Sequence, residues 1–295
     1  MSSKKIFPQH LLPVAVILFA FSFNHAVAQS RDSLKDKRIR LLVASAGVYA
    51  GGMTGLSLAW YKNEKQPFRW FNDLPEWKQM DKAGHFYTAY HLADIAGKKL
   101  KKTGMNPKAA AWAATITSIL ALSAIEIPDG YSPDYGASGT DIIANMLGSL
   151  SWMAQQNRNE GALLVPKFSF HRSGMAGSRP EILGKNFAEQ VLKDYNGQTY
   201  WLSADMDQIS NWPKWINIAV GYGASGMKYG RDEQNIADRL QPYRRWFLGL
   251  DIDLTNVPTR HKFLKKLFAI TGYIRIPAPA IEFSSRGWTF HAIRI

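Results

Sequence analysis

Between Pro107 and Ile125 the chain is apolar, rich in alanine and almost free of charge, yet polar residues crowd both ends of that run. Before it, Asp81-Lys82-Ala83-Gly84-His85 opens a helical pattern that ends near Lys101. After it come Glu126-Ile127-Pro128-Asp129-Gly130, a loop from Tyr131 to Gly136, and a last helical pattern carrying Asp141, Asn145 and Gly148. Carboxylates and a histidine at the ends of apolar helices have to be capped, paired or put to use, because burying them alone is costly.

The helix limits are legible. Lys98, Lys99, Lys101 and Lys102 complement the dipole at one C-terminus, Gly104 follows, and Pro107 starts the next helix. Ser138-Gly139-Thr140-Asp141 has the spacing of a capping box. An earlier apolar stretch, Leu41 to Tyr61, carries Gly47, Gly51 and Gly55 on one helical face, which permits close helix approach. It fits a tightly packed soluble helix and a membrane-embedded one equally. The aromatic residues flanking these runs (Trp60, Tyr61, Trp70, Trp77) fit a membrane interface or a domain seam. About four apolar helices are thus expected between residues 38 and 156.

After Asn157 the period changes. Leu163 to Phe170 reads as a short strand and Pro180 to Tyr195 as a helix closed by Asn196-Gly197. From Arg244 to Leu254 alternation is strict. Trp246, Leu248, Leu250, Ile252 and Leu254 face one way, and Arg245, Phe247, Gly249, Asp251 and Asp253 the other. Trp215 to Gly223 alternates too, with Asn217, Ala219, Gly221 and Gly223 forming a face of small residues that implies close backbone approach or a curved sheet. Further strands are read at Phe268–Ile276, Ala280–Ser284 and Trp288–Ile295, and Gly221 to Gly226 as a bend. Strands that are apolar outside and small or polar inside suit a membrane barrel, but six or seven fall short of the usual minimum of about eight. A sheet packed on the helical half is the reading adopted. The expected fold is α+β: a signal at residues 1–28, an apolar helical domain at 29–160 and a β-rich antiparallel domain at 161–295.

The signal assignment rests on Lys4 and Lys5, the apolar run Leu11 to Phe23, and the small-x-small site Ala26-Val27-Ala28. The chain has no cysteine, so disulfides, thiol catalysis and cysteine metal ligands are excluded. Its formal charge is +13. For an exported chain the acidic partners in reach are membrane lipid and anionic surface glycolipid. Nucleic acid is excluded as a partner by the compartment and by the lack of an aromatic-basic recognition motif.

The candidate catalytic residues are His85, Asp81, Glu126 and Asp141, with Lys82, Asp129 and Asn145 as further members of the polar group. Asp81 and His85 are four apart on one helical face, where a carboxylate can orient an imidazole or share a metal with it. The histidine-carboxylate spacings of known helical metal sites are absent, so metal and cofactor stay unassigned. The competing reading gives Asp81 and Asp141 to helix caps, and Asp129 and Asp134 to turns. No nucleophile elbow or phosphate-binding glycine loop is present.

Trp77-Lys78-Gln79-Met80-Asp81-Lys82-Ala83-Gly84-His85-Phe86-Tyr87-Thr88-Ala89-Tyr90 resembles the signature of the YfiM-like periplasmic lipoproteins, a domain of unknown function. Lys193 to Ser203, Trp215 to Met227 and Ile276 to Pro279 resemble longer members of Bacteroidetes type. Asp81, Lys82, His85, Glu126, Asp141, Asn145 and Gly148 are more distantly similar to the pattern of VanZ-like membrane proteins, although the glutamine and arginine of that family's loop are replaced here by Asp129 and Tyr131. These resemblances imply an exported envelope protein and bring no established reaction. The expected location is the periplasm or a membrane, the outer one favoured over the inner. The expected role is non-catalytic surface maintenance or scaffolding. The alternative is a hydrolase or transferase acting on a lipid-linked or glycan substrate through His85 and its neighbouring carboxylates.

Overall fold

The computed structural model describes residues 66–133, 136–158, 161–210 and 212–294, together with Arg40, Leu41, Gly47, Tyr49 and Gly51, which are helical. The signal segment, most of the helix expected at 41–61, and Asp134 lie outside the described residues. A helical N-terminal half is followed by an antiparallel sheet of six strands, an α+β fold. The chain forms two compact units, residues 1–74 with 88–154 and residues 75–87 with 155–295.

The first unit contains most of α1 (Met80–Lys102), then α2 (Pro107–Ser123), the single turn α3 (Glu126–Gly130) and α4 (Gly139–Ala154). Asn106 caps α2 by accepting from the Lys108 and Ala109 amides, with Pro107 in the first turn. Small residues bring the helices together. Ser118 Oγ donates to the Ala89 carbonyl at 2.8 Å, Ser149 Oγ to Ser118 Oγ at 3.0 Å, and the Trp152 indole to Asp94 at 3.1 Å. Gly97 makes room for that indole: a Cβ there would lie 2.3 Å from Trp152. On their other sides α2 and α4 leave Trp112, Ile116 and Leu120, and Ile143, Met146 and Leu147, exposed. The helical stretch Pro107–Gly130 is long and apolar enough to cross a membrane, by length and composition.

The second unit is built on β1 (Leu164–Phe170), β2 (Gln198–Ala204), β3 (Ile216–Ser225), β4 (Tyr243–Ile252), β5 (Ala278–Ser284) and β6 (Gly287–Arg294), each paired antiparallel with the next. Residues 273–275 lie along the outer edge of β1, with the Phe168 amide on the Tyr273 carbonyl and the Arg275 amide on the Phe168 carbonyl. From there the Arg275 guanidinium reaches the Arg294 carbonyl of β6 at 2.7 Å and the Leu250 carbonyl of β4 at 2.7 Å. One side chain therefore ties both margins of the sheet together around a curved inner face. Gly221 accommodates the Trp201 indole on that face, and Gly249 accommodates Arg275 and Ala280. The expected close approach thus has named causes.

Helices α5 (Pro180–Leu183) and α6 (Phe187–Lys193) replace the single helix expected at 180–195. They part at Gly184, whose φ of 103° no helix accommodates. A short helix α7 (Asp232–Ala237) follows β3. The bend expected at 221–226 is narrower, since β3 runs on to Ser225 and turns at Gly226, φ 80°. The strand expected at 268–276 is instead helix α8 (Lys262–Thr271). Phe263, Leu264, Leu267 and Phe268 recur at helical spacing, and starting the run at Phe268 cuts that period in half.

Candidate functional site

The first two turns of α1 belong to the second unit, and the chain enters them through an unusual backbone. Trp77, Lys78 and Gln79 all have positive φ, 48°, 53° and 61°. Left-handed conformations cost a non-glycine residue roughly 1–2 kcal/mol each, so the segment must be held from outside. The Trp77 amide donates to the Gly230 carbonyl at 2.6 Å, its ring packs on Tyr195, and the Tyr222 hydroxyl donates to the Lys78 carbonyl.

This entry fixes the Asp81 group. One Asp81 oxygen accepts from the Tyr195 hydroxyl at 2.9 Å and the other from Lys82 Nζ at 2.8 Å. The His85 ring nitrogen Nε2 stands 3.9 Å from Asp81 Oδ1, and both residues are buried. Gly84 lets the Tyr200 hydroxyl approach the helix, since a Cβ there would meet it at 2.9 Å. Burial, then the Asp81 and Tyr87 charges, push the Tyr200 phenol well above its ordinary range, so it stays protonated. A buried imidazole beside an oriented carboxylate has the chemistry of a general base or of a cation ligand.

The first unit holds the other expected residues. Glu126 accepts the Ser138 amide at 2.7 Å. Ser138 Oγ accepts the Asp141 amide at 3.1 Å and donates to Asp73 at 2.7 Å, and Thr140 donates to the same Asp73 oxygen at 2.8 Å. The Ser138 cap expected from the spacing is thus present, and Glu126 and Asp73 fasten it. Asp129, Asp141 and Asn145 are all buried. Asp81 and His85 offer donor types that a divalent cation takes.

Sequence reasoning missed a second polar group, on the inner face of the sheet. Arg245 grips Glu282 with two hydrogen bonds of 2.7 Å, and His291 Nε2 lies 2.9 Å from the same carboxylate. Burial raises the Glu282 pKa, but the bonds from Arg245 and His291 outweigh it and hold the group below its ordinary value. Lys167 Nζ is 2.7 Å from Asp251 Oδ2, an ion pair by distance that lacks hydrogen-bond alignment, and Ser203 donates to the same oxygen at 2.7 Å. Arg275 lies 3.9 Å from the centre of the Trp201 ring, and Arg245 and Arg294 both approach the Phe247 ring. Burial lowers Arg275 and Arg294 to about 10, and repulsion from Arg245 adds to the shift of Arg294. His171 falls to about 4, through burial and then the Arg294 and Arg245 charges. The available signal was charge at inward parity: Lys167, Asp251, Glu282 and His291 each sit between apolar neighbours, and Arg245 precedes Trp246 in the same alternation.

The opposite face is its inverse. Leu202, Val220, Leu248, Ile281 and Phe290 are partners in register across five strands, and Tyr200, Tyr222, Trp246, Phe283 and Trp288 form the adjacent row. The first two turns of α1 cover Tyr200, where Tyr87, Phe168 and Tyr200 pack ring to ring. From β3 to β6, among the described residues, Val220, Trp246, Leu248 and Phe283 are exposed and Tyr222 and Ile281 partly so, and Trp288 and Phe290 are 73% and 60% exposed. Helix α8 has no buried residue, and Phe263 and Leu267 stand out from it beside Lys262, Lys265 and Lys266.

The fold and these sites define an α+β protein whose helical half carries a buried aspartate-histidine motif and whose sheet is charged within and apolar without. Residues 69–155 match the family model described as predicted periplasmic lipoprotein (DUF2279), which spans that motif and fits an exported protein. No curated protein and no solved structure matches the chain. A lipoprotein is acylated on cysteine, and these 295 residues contain none.

Proposed function

We propose that the protein is a non-catalytic envelope component that seats on a membrane through the bare apolar face of its sheet, in a scaffolding or surface-maintenance role. The inverted polarity of the sheet carries this reading. Buried ion pairs share the inner face with Trp201, Ala219, Phe247 and Ala280, while two in-register apolar rows are largely exposed on the outer face. Water makes such an exchange unfavourable, and hydrocarbon makes it favourable. At a strand spacing of ~4.8 Å the part of each row from β3 to β6 is about 14 Å wide, well beyond a scattering of single exposed residues. The lysine-flanked α8 has the composition of an interfacial helix, and the exposed side chains of α2 and α4 add apolar surface. With a formal charge of +13, anionic lipid or surface glycolipid is the favoured partner.

Flotation with lipid vesicles tests this. The wild-type protein rises with phosphatidylcholine vesicles, and Leu248→Glu/Phe290→Glu stays at the bottom with an unchanged circular dichroism spectrum. A charged pair that floats as well as wild type refutes the seating. The enzymatic alternative draws on one observation, the buried His85 beside Asp81. His85→Ala and Asp141→Ala variants that fold and still complement a deletion strain eliminate it.

A further inference from the structure

Where β4 begins and β5 ends, an open cleft of about 490 Å³ is lined by Lys78, Tyr243, Arg244, Trp246, Phe283 and Ser284 among others. We infer that this cleft holds the phosphate of an anionic phospholipid, with Arg244 of its lining and Arg286, which stacks on the lining Tyr243 from beside it, as the headgroup ligands. The inference rests on the membrane seating proposed above and names the lipid class recognised there.

Three observations place a headgroup here. The first is charge. Lys78 is already neutralised by Asp232. Arg244 meets only neutral groups, the Gln79 amide oxygen and the Tyr222 phenol, and Arg286 lies 4.1 Å over the Tyr243 ring. Among the described residues neither guanidinium has a carboxylate partner, so two fixed donors are available to an anion. The planar guanidinium matches phosphate geometry.

The second is continuity. Trp246 and Phe283 belong at once to the cleft lining and to the exposed aromatic row, and the aliphatic row Val220, Leu248, Ile281 and Phe290 begins one step further along the strands. A phosphate held in the cleft therefore leaves its acyl chains on the apolar face. The third is the order of side chains along β4, which runs from Arg244 through Trp246 to Leu248 and Leu250 on the outer face. Cation, aromatic and aliphatic side chains follow one another as headgroup, interface and hydrocarbon do at a bilayer surface.

The test is binding of the full chain to vesicles of phosphatidylcholine alone and to vesicles that also contain phosphatidylglycerol. The wild-type protein binds the anionic vesicles more tightly. Arg244→Gln/Arg286→Gln weakens that binding by about thirty-fold and leaves neutral-vesicle binding unchanged. Arg244→Lys/Arg286→Lys, which keeps the charge, retains most of the preference. Lys185→Gln/Arg239→Gln, which removes equal charge elsewhere, changes it less than three-fold, as expected of rim charges. Equal losses in the two neutralised pairs, or a wild-type protein indifferent to phosphatidylglycerol, overturn the inference while neutral-vesicle binding upholds the seating. Loss of neutral binding with the arginine-dependent preference intact overturns the seating alone. Arginine-dependent binding of inorganic phosphate without vesicles overturns the assignment to lipid.

Discussion

Replacing Lys167 by methionine tests the charged interior of the sheet. Lys167 on β1 and Asp251 on β4 are 1% and 0% exposed, and their charged atoms are 2.7 Å apart. The substitution leaves the Asp251 carboxylate buried with only the Ser203 hydroxyl bonded to it. Breaking a buried pair from one side costs about 3–5 kcal/mol, because the surviving charge is uncompensated. Arg275 remains close enough to act on Asp251, so the lower end, about 3 kcal/mol, is expected. Lys167→Met/Asp251→Leu removes both charges and should return to within about 1 kcal/mol of wild type. Urea unfolding in mild detergent, followed by tryptophan fluorescence, reads both values from the transition midpoints at constant slope. A single variant within about 0.5 kcal/mol of wild type, or a double variant no better than the single, refutes the reasoning.

Further outcomes follow from the same geometry. His171 sits near 4 in the folded chain and 6.5 when unfolded, so the unfolded state binds the extra proton. Stability holds above pH 6.5 and falls as the pH drops towards 4. The full displacement corresponds to at most ~3 kcal/mol. Partial solvent access reduces it to about 1–2 kcal/mol, and His171→Phe should flatten that part of a stability-pH curve. Asn235 accepts from the Lys228 and Tyr229 amides and donates to the Tyr229 and Arg231 carbonyls. Asn235→Ala should cost roughly 3 kcal/mol, at about 1 kcal/mol per bond with water replacing part of the loss. Ser138→Ala removes the cap of α4 and a bond to Asp73, and should cost about 1–2 kcal/mol by thermal unfolding. An unchanged midpoint in either variant contradicts these assignments.

The caps, the helix ends and most strands were legible because they depend on local chemistry. Pro107 starts α2, Ser138 starts α4, and alternation marks β3 and β4. Helix α8 was misread because its last residues are also good strand formers, and only Phe263 and Leu264 reveal the longer period. The polar group was legible as residue types, but not as partners. Tyr195 reaches Asp81 across 114 positions and Arg245 reaches Glu282 across 37, and no local spacing encodes such pairs. Alternation separated the two faces of β4 without saying which was buried. That choice depends on the surrounding medium, and the inner charges Lys167, Arg245 and Glu282 are the residues that decide it.

The most direct test of that medium uses the lack of native cysteine. Single nitroxide labels are introduced through Leu248→Cys, Phe290→Cys and Asp232→Cys, and the protein is bound to lipid vesicles. Collision rates with oxygen, which partitions into hydrocarbon, are compared with those of a water-soluble nickel chelate. Labels at 248 and 290 should collide preferentially with oxygen, and the label at 232 with the chelate. Preferential collision of the chelate with all three labels would mean that the apolar face of the sheet meets water, and would contradict the account.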